Sequence, residues 1–226
     1  MRDPCVLASH PPSTPKQRVV IVSEALRAIF FDVGETLVDE SRYWRVLADR
    51  VAVPPHVLWA ALGVTIARGE EHTELWRHLG IERPAASDEV MYVRDDLYPD
   101  ALACLEALRE QGLFVGIVGN QTAALERWAR DERLPADYIS SSASWGARKP
   151  APEFFQRVIE VAGAAPGEIA YVGDRVDNDV IPAAAAGLVA VHVRRGPWGM
   201  LERAAGHAAL SVDSLAELPA AIASLA

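Results

Sequence analysis

The chain has 226 residues, half of them hydrophobic, and a formal net charge of −9 at pH 7. That length suits one large domain, or a core with a smaller insertion, around a substantial buried interior. The acidic balance and the lack of any Lys/Arg run argue against a nucleic-acid groove or a polybasic membrane patch, and no apolar stretch is long enough to span a bilayer.

Met1–Lys16 holds four Pro, two Ser, a Thr and a His without the apolar stretch of a secretion signal, so residues 1–17 read as a disordered leader. Cys5 and Cys104 are the only cysteines and give no disulfide framework. Cys104 lies in an apolar stretch and reads as a small core filler, and a cytoplasmic setting follows. Of the 22 Lys and Arg residues only Lys16 and Lys149 are lysines. Lys149 is therefore the one lysine outside the leader.

The first strand signal is Ala28-Ile29-Phe30-Phe31, an apolar run closed by Asp32 and the turn Val33-Gly34-Glu35. Such a run predicts a strand buried on both faces. An isolated buried carboxylate is costly, and in open α/β sheets ligands bind beyond the carboxyl ends of the strands. Asp32 is thus a candidate nucleophile or metal ligand, or else a helix N-cap.

From Ser41 to about Asp96 the pattern is helical, punctuated by Pro54-Pro55, Gly63, Gly80 and Pro84, with no strand run. This block, residues 41–96, reads as a small all-helical cap inserted after the first strand. Residues 18–40 and 97–226 form the core. There Pro99–Glu110 carries Leu102, Leu105 and Leu108 at helical spacing, followed by strand runs at Phe114–Val118 and Asp137–Ser140. Helices follow at Pro152–Ala162 and Asp179–Ala186, with strands at Ile169–Val172 and Leu188–Val193. A last helix carries Leu215, Leu218, Ile222 and Leu225. This alternation predicts an α/β fold, a doubly wound, Rossmann-like parallel sheet.

Three further polar clusters fall at strand or helix ends: Gly119-Asn120-Gln121-Thr122, Arg148-Lys149-Pro150, and Gly173-Asp174 through Asp179. In a parallel sheet these ends share one edge. Together they suit phosphoryl transfer. Asp32, Asp174 and Asp179 can build a hard oxygen site for Mg²⁺, and Lys149 offers a compact positive charge to a phosphate oxygen. Backbone amides around Gly119 and Asn120 can receive the remaining oxygens.

With these residues the chain resembles the haloacid dehalogenase (HAD) superfamily from about Arg27 to about Gly199. FFDVGETL resembles its first motif, GIVGN its second, GARKPAPEFF its third and GDRVDND its fourth. The resemblance implies that Asp32 is the nucleophile, forming an aspartyl-phosphate that water hydrolyses. Thr36 would be the following motif threonine. Mg²⁺ would be held by Asp32, the backbone carbonyl of Gly34 and Asp174, with Asp179 holding a metal-bound water or orienting Lys149.

Two positions depart from the family pattern. Gly34 stands where most phosphatases of the family have an acid/base Asp, and Gly119 stands where the second motif has Ser or Thr. The expected activity is a Mg²⁺-dependent phosphohydrolase on a small phosphorylated metabolite, weak on alkyl phosphates. A non-catalytic or nearly inactive phosphate-ligand binding or regulatory protein on the same scaffold and, less readily, a dehalogenase-type hydrolase remain as alternatives.

Asn120 or Thr122 are candidates to replace the lost hydroxyl. Glu35, Asp39 and Glu40 are near enough to be substitute acids but read as solvated loop residues. His72 is a remoter candidate. Trp44, Trp59 and Trp76 read as core, and Arg194-Arg195 as a surface pair. Neither the substrate nor the oligomeric state is legible.

Overall fold

The computed structural model describes residues 25–84, 91–204 and 206–225. The leader expected at 1–17 and residues 85–90 of the helical block lie outside the described residues. In chain order the elements begin with β1 (Ala28–Phe31), α1 (Ser41–Arg50), α2 (Pro55–Ala67), α3 (Leu75–His78), α4 (Ala101–Glu110), β2 (Phe114–Gly119) and α5 (Ala123–Asp131). They continue with β3 (Tyr138–Ser141), α6 (Ser142–Trp145), α7 (Pro152–Ala162), β4 (Ile169–Gly173), α8 (Ile181–Ala185), β5 (Val189–Val193), α9 (Gly196–Leu201), β6 (Leu210–Val212) and α10 (Leu218–Ala223).

The six strands form one parallel sheet in the order β3-β2-β1-β4-β5-β6. β1 lies in the middle, with Phe31 opposite Ile117 on one side and Val172 on the other. The chain therefore reverses direction across the sheet at β1, and the ends of β1, β2 and β4 share one edge.

Alternation along β1 explains why its run is apolar throughout. Ile29 and Phe31 face a cluster containing Leu105 and Leu108 of α4 and Ile222 of α10. Ala28 and Phe30 face the opposite cluster, with Phe154, Phe155 and Val158 of α7. Both faces are covered by helices, so neither needs polar residues.

The helical signals hold, with shifted boundaries. The helix expected at Asp179–Ala186 begins instead with a π-turn at Val176–Val180. Pro182 has no N–H to continue an α-helical ladder, and the wider turn lets Val180 N–H bond to Arg175 C=O at 3.2 Å. β6 had no sequence signal, being three residues long and half exposed.

No strand lies between Ser41 and Asp96 among the described residues. The segment departs and returns by adjacent chain: Asp39 N–H bonds to Asp96 C=O (2.8 Å) and Tyr98 N–H to Leu37 C=O (2.9 Å). Its helices share a separate apolar cluster in which Trp44, Leu62 and Trp76 are buried and Trp59 is packed alongside, as their sequence pattern suggested. Trp198 of α9 joins this cluster from the sheet side. No single helix among the described residues is long and apolar enough to cross a membrane.

Trp198 is one aromatic anchor between the helical block and the sheet, and Tyr92, whose ring centre lies 5.5 Å from that of Trp128 of α5, is another. Trp198→Ala is expected to cost ~3–5 kcal/mol of stability, as large buried aromatics do. Urea unfolding of the two proteins measures this, and a loss below ~1 kcal/mol would mean that the junction does not depend on this ring.

Candidate active site

The sheet edge brings Asp32, Lys149, Asp174 and Asp179 together. Asp32 follows β1, and its N–H bonds to Val172 C=O of β4 at 2.9 Å, which fixes the backbone where the side chain leaves the sheet. Asp174 follows β4 directly, and Asp179 comes from the π-turn. Carboxylate oxygens of these three aspartates lie within 4.8 Å of one another.

Lys149 is the cation among them. It is 1% exposed, with Nζ 2.7 Å from Asp32 Oδ1 and 2.6 Å from Asp179 Oδ1. The contact to Asp32 is an ion pair without good hydrogen-bond alignment, whereas that to Asp179 is a hydrogen bond. Nζ also lies 5.5 Å from the ring centre of Tyr171, close enough for cation–π attraction. Burial works against the charge, but Asp179 and Asp32 outweigh it and hold the ammonium well above the usual lysine range.

Asn120 positions this lysine. Its amide accepts from Lys149 N–H at 2.8 Å and donates to Lys149 C=O at 2.9 Å. Thr122 caps α5 by accepting from Leu125 N–H at 3.3 Å. Both side chains suggested as replacements for a hydroxyl at position 119 are thus engaged elsewhere. Thr36 is fully buried, and its hydroxyl has no hydrogen-bond partner among the described residues.

The negative charge is poorly compensated. Burial, then the charges of Asp179 and Asp32, push Asp174 well above the usual carboxylate range, and its buried Oδ2 has no hydrogen-bond partner among the described residues. Asp179 is pushed up to about 6, by burial first and against the pull of Lys149. Three carboxylates around one ammonium form the hard oxygen donor set that Mg²⁺ prefers, with an orphaned oxygen to offer it.

Glycines make room for these carboxylates. A Cβ on Gly119 would lie 2.2 Å from Asp32 Oδ1, and one on Gly173 would lie 2.3 Å from Asp179 Cγ. Gly119 therefore follows from where Asp32 sits.

Glu35 and Glu40 of the first loop are not free in solvent, contrary to the sequence expectation. Glu35 is 3% exposed, accepts from Tyr98 O–H at 2.6 Å, and is pushed up to about 8 by burial and then by Glu40. Its φ of 51° lies in the left-handed region, a strained conformation typical of functional turns. Gly196 gives it space, since a Cβ there would lie 2.6 Å from Glu35 Oε2. Glu40 is half-buried and accepts from Tyr92 O–H at 2.5 Å. Burial, and the charge of Asp32 among lesser causes, raise it to about 7. Asp39 is a partly exposed loop residue, as expected, and accepts from Ser41 N–H at 2.8 Å.

Arg195 is likewise no surface residue. It pairs with Asp100 at 2.9 Å and stacks 4.0 Å from the centre of Tyr98, while Arg194 pairs with Asp213 at the surface. His72 is pushed down to about 4, by burial and then by Arg175, the residue that follows Asp174.

A model of the haloacid dehalogenase-like hydrolase family matches residues 26–187. The chain belongs to this family. Over 109 residues this HAD-like hydrolase is 36% identical to the glyceraldehyde 3-phosphate phosphatase of Methanopyrus kandleri, covering 46% of each chain. Over 106 residues it is 37% identical to the phosphoserine phosphatase of Thermus thermophilus, covering 46% of this chain and 43% of that one. The chain spans about half the length of these curated relatives. A HAD phosphatase structure from Thermococcus onnurineus shares the fold, with a TM-score of 0.60 at 22% identity over 87% of this chain and 98% of that one.

The close fit of Asp32 against Gly119 is testable. Gly119→Ala is expected to destabilise the protein by ~1–3 kcal/mol, because Asp32 must shift from Lys149 to admit the methyl group. Apart from its own helix, nothing among the described residues lies within 4 Å of the Cβ position of Gly63 in α2. Gly63→Ala is expected to stabilise by ~0.5–1 kcal/mol through helix propensity. Guanidinium unfolding of both variants checks the contrast, and equal effects would show that Asp32 is free to turn away.

Proposed function

We propose that this HAD-like hydrolase is a Mg²⁺-dependent phosphohydrolase working through an aspartyl-phosphate on a small phosphorylated metabolite. The observation that carries this reading is the trio Asp32, Asp174 and Asp179 gathered around one buried lysine. Asp32, the Gly34 carbonyl and Asp174 would hold the ion. When bound, Mg²⁺ supplies positive charge to the phosphate oxygens and to the group in transfer.

The protein's own groups do the rest. Asp32 attacks phosphorus, the bond to the leaving oxygen breaks, and water later releases phosphate from the acyl phosphate. Lys149, held by Asn120 and Asp179, presents its ammonium to a phosphate oxygen without losing side-chain entropy on binding. Backbone amides at Gly119 and Asn120 would take further oxygens, and the Thr36 hydroxyl is buried close by in the first loop. Asp179 acts mainly by orienting Lys149.

The helical block at 41–96 would serve as a cap over the sheet edge and set the substrate. The activities named for the Methanopyrus and Thermus relatives support a small phosphorylated substrate. We place the reaction in the cytoplasm, on the lack of a disulfide framework, and the acidic balance argues against a nucleic-acid or membrane partner. With no side chain at Gly34, weak turnover of alkyl phosphates would be expected from that loop position alone.

Asp32→Asn is expected to abolish Mg²⁺-dependent release of 4-nitrophenol from its phosphate ester, a loss of at least ~10³-fold in kcat. Surviving activity would remove Asp32 as the nucleophile. Mg²⁺ at millimolar concentration should raise the melting temperature of the wild type, and Asp174→Asn should reduce that rise. A wild type that binds phosphate with Mg²⁺ but turns nothing over would instead be a phosphate-binding protein on the same scaffold.

A further inference from the structure

An alkoxide leaving group needs a proton as its bond to phosphorus breaks, and the attacking water must lose one later. The groups nearest Asp32 are mostly committed. Lys149 is locked between Asp32 and Asp179, and Asp179 also accepts from Arg175 N–H at 3.0 Å. Asp174 lies in the proposed metal site. Glu35 turns away to Tyr98 and fills the space over Gly196.

Glu40 remains, and its placement is specific. Its Oε1 lies 2.6 Å, and its Cδ 3.0 Å, from where a Cβ on Gly34 would be. Gly34 is two residues beyond Asp32 in the same turn. The volume that a side chain at position 34 would enter is therefore filled by a carboxyl group that arrives from the start of α1. Tyr92, 52 residues away, fixes it there by donating its O–H to Oε1.

We propose that Glu40 is the proton-transfer residue of this site, a role that rests on the phosphohydrolase reading. In the first half-reaction Asp32 forms a bond to phosphorus, the bond to the leaving oxygen breaks, and the Glu40 carboxyl gives that oxygen its proton. In the second, water attacks phosphorus and gives a proton to the Glu40 carboxylate. The bond to Asp32 breaks, which restores both side chains and releases phosphate.

The test compares kcat/KM, which reports the first half-reaction, for 4-nitrophenyl phosphate and for an alkyl phosphomonoester. Glu40→Gln is expected to lower the alkyl value by ~10²-fold or more and the aryl value by less than about threefold, since nitrophenolate leaves without a proton. With the aryl ester, loss of the base should also give a burst of nitrophenol and accumulating phosphoenzyme. An equal loss on both esters, or no loss on either, overturns the proposal.

A second pair of variants covers a failure of Glu40→Gln to fold. Gly34→Asp alone should not raise alkyl turnover, because its Cβ collides with Glu40, whereas Gly34→Asp with Glu40→Ala should restore it to near the wild-type value. A folded double variant as inactive on alkyl esters as Glu40→Ala sinks the idea. If the wild type hydrolyses neither ester, the phosphohydrolase reading itself fails, a result distinct from equal losses in an active enzyme.

Discussion

A lysine with no exposed side-chain surface lies between two aspartates, with a third close by, and much of the local structure answers to that arrangement. A buried ammonium is tolerable only when it is paired and its backbone is held, which is what Asp32, Asp179 and Asn120 accomplish. The same pairing leaves the carboxylates in excess. Burial first, and then the neighbouring carboxylates, raise Asp174 and Asp179 out of the ordinary carboxylate range, and Asp174 Oδ2 has no hydrogen-bond partner among the described residues. A site under this electrostatic load favours the arrival of further positive charge.

Space is the second constraint. Gly119 and Gly173 end β2 and β4, and each has a carboxylate where its side chain would be. Without them Asp32 and Asp179 could not approach Lys149 from opposite sides. The π-turn after Arg175 serves the same end, because it brings Asp179 back against Arg175 N–H instead of sending it along a helix. Gly34 fits this pattern, with the difference that the group filling its space comes from a residue six positions later.

The sheet was legible because β1, β2, β4 and β5 are buried on both faces and read as unbroken apolar runs. The polar residues that end them therefore stood out, and the parallel order placed them on one edge. β6 was not legible, since three half-exposed residues carry no period. The burial of Glu35, Glu40 and Arg195 is not legible in the sequence, for one shared reason. Their burial is set by Tyr98, Tyr92 and Asp100, partners 52 or more residues distant, which no local window contains. Asn120 was noticed, but its side chain holds Lys149; the amide pairs with main-chain atoms, which sequence spacing does not display.

The route by which Glu40 reaches the site has a consequence that a side chain on Gly34 would not share. Glu40 opens α1 and is tied to Tyr92, so it is anchored at both ends of the segment that leaves the sheet after Val38 and returns at Leu97. Asp32, Lys149, Asp174 and Asp179 are anchored to the sheet edge instead. Proton transfer by Glu40 then requires two bodies of structure to stand in register, the sheet edge and the helical block. Trp198 and the paired chain at Asp39 and Asp96 hold that register. An acid fixed beside Asp32 would act whatever the helical block was doing. An acid carried at the base of that block ties proton transfer to the packing of the block against the sheet.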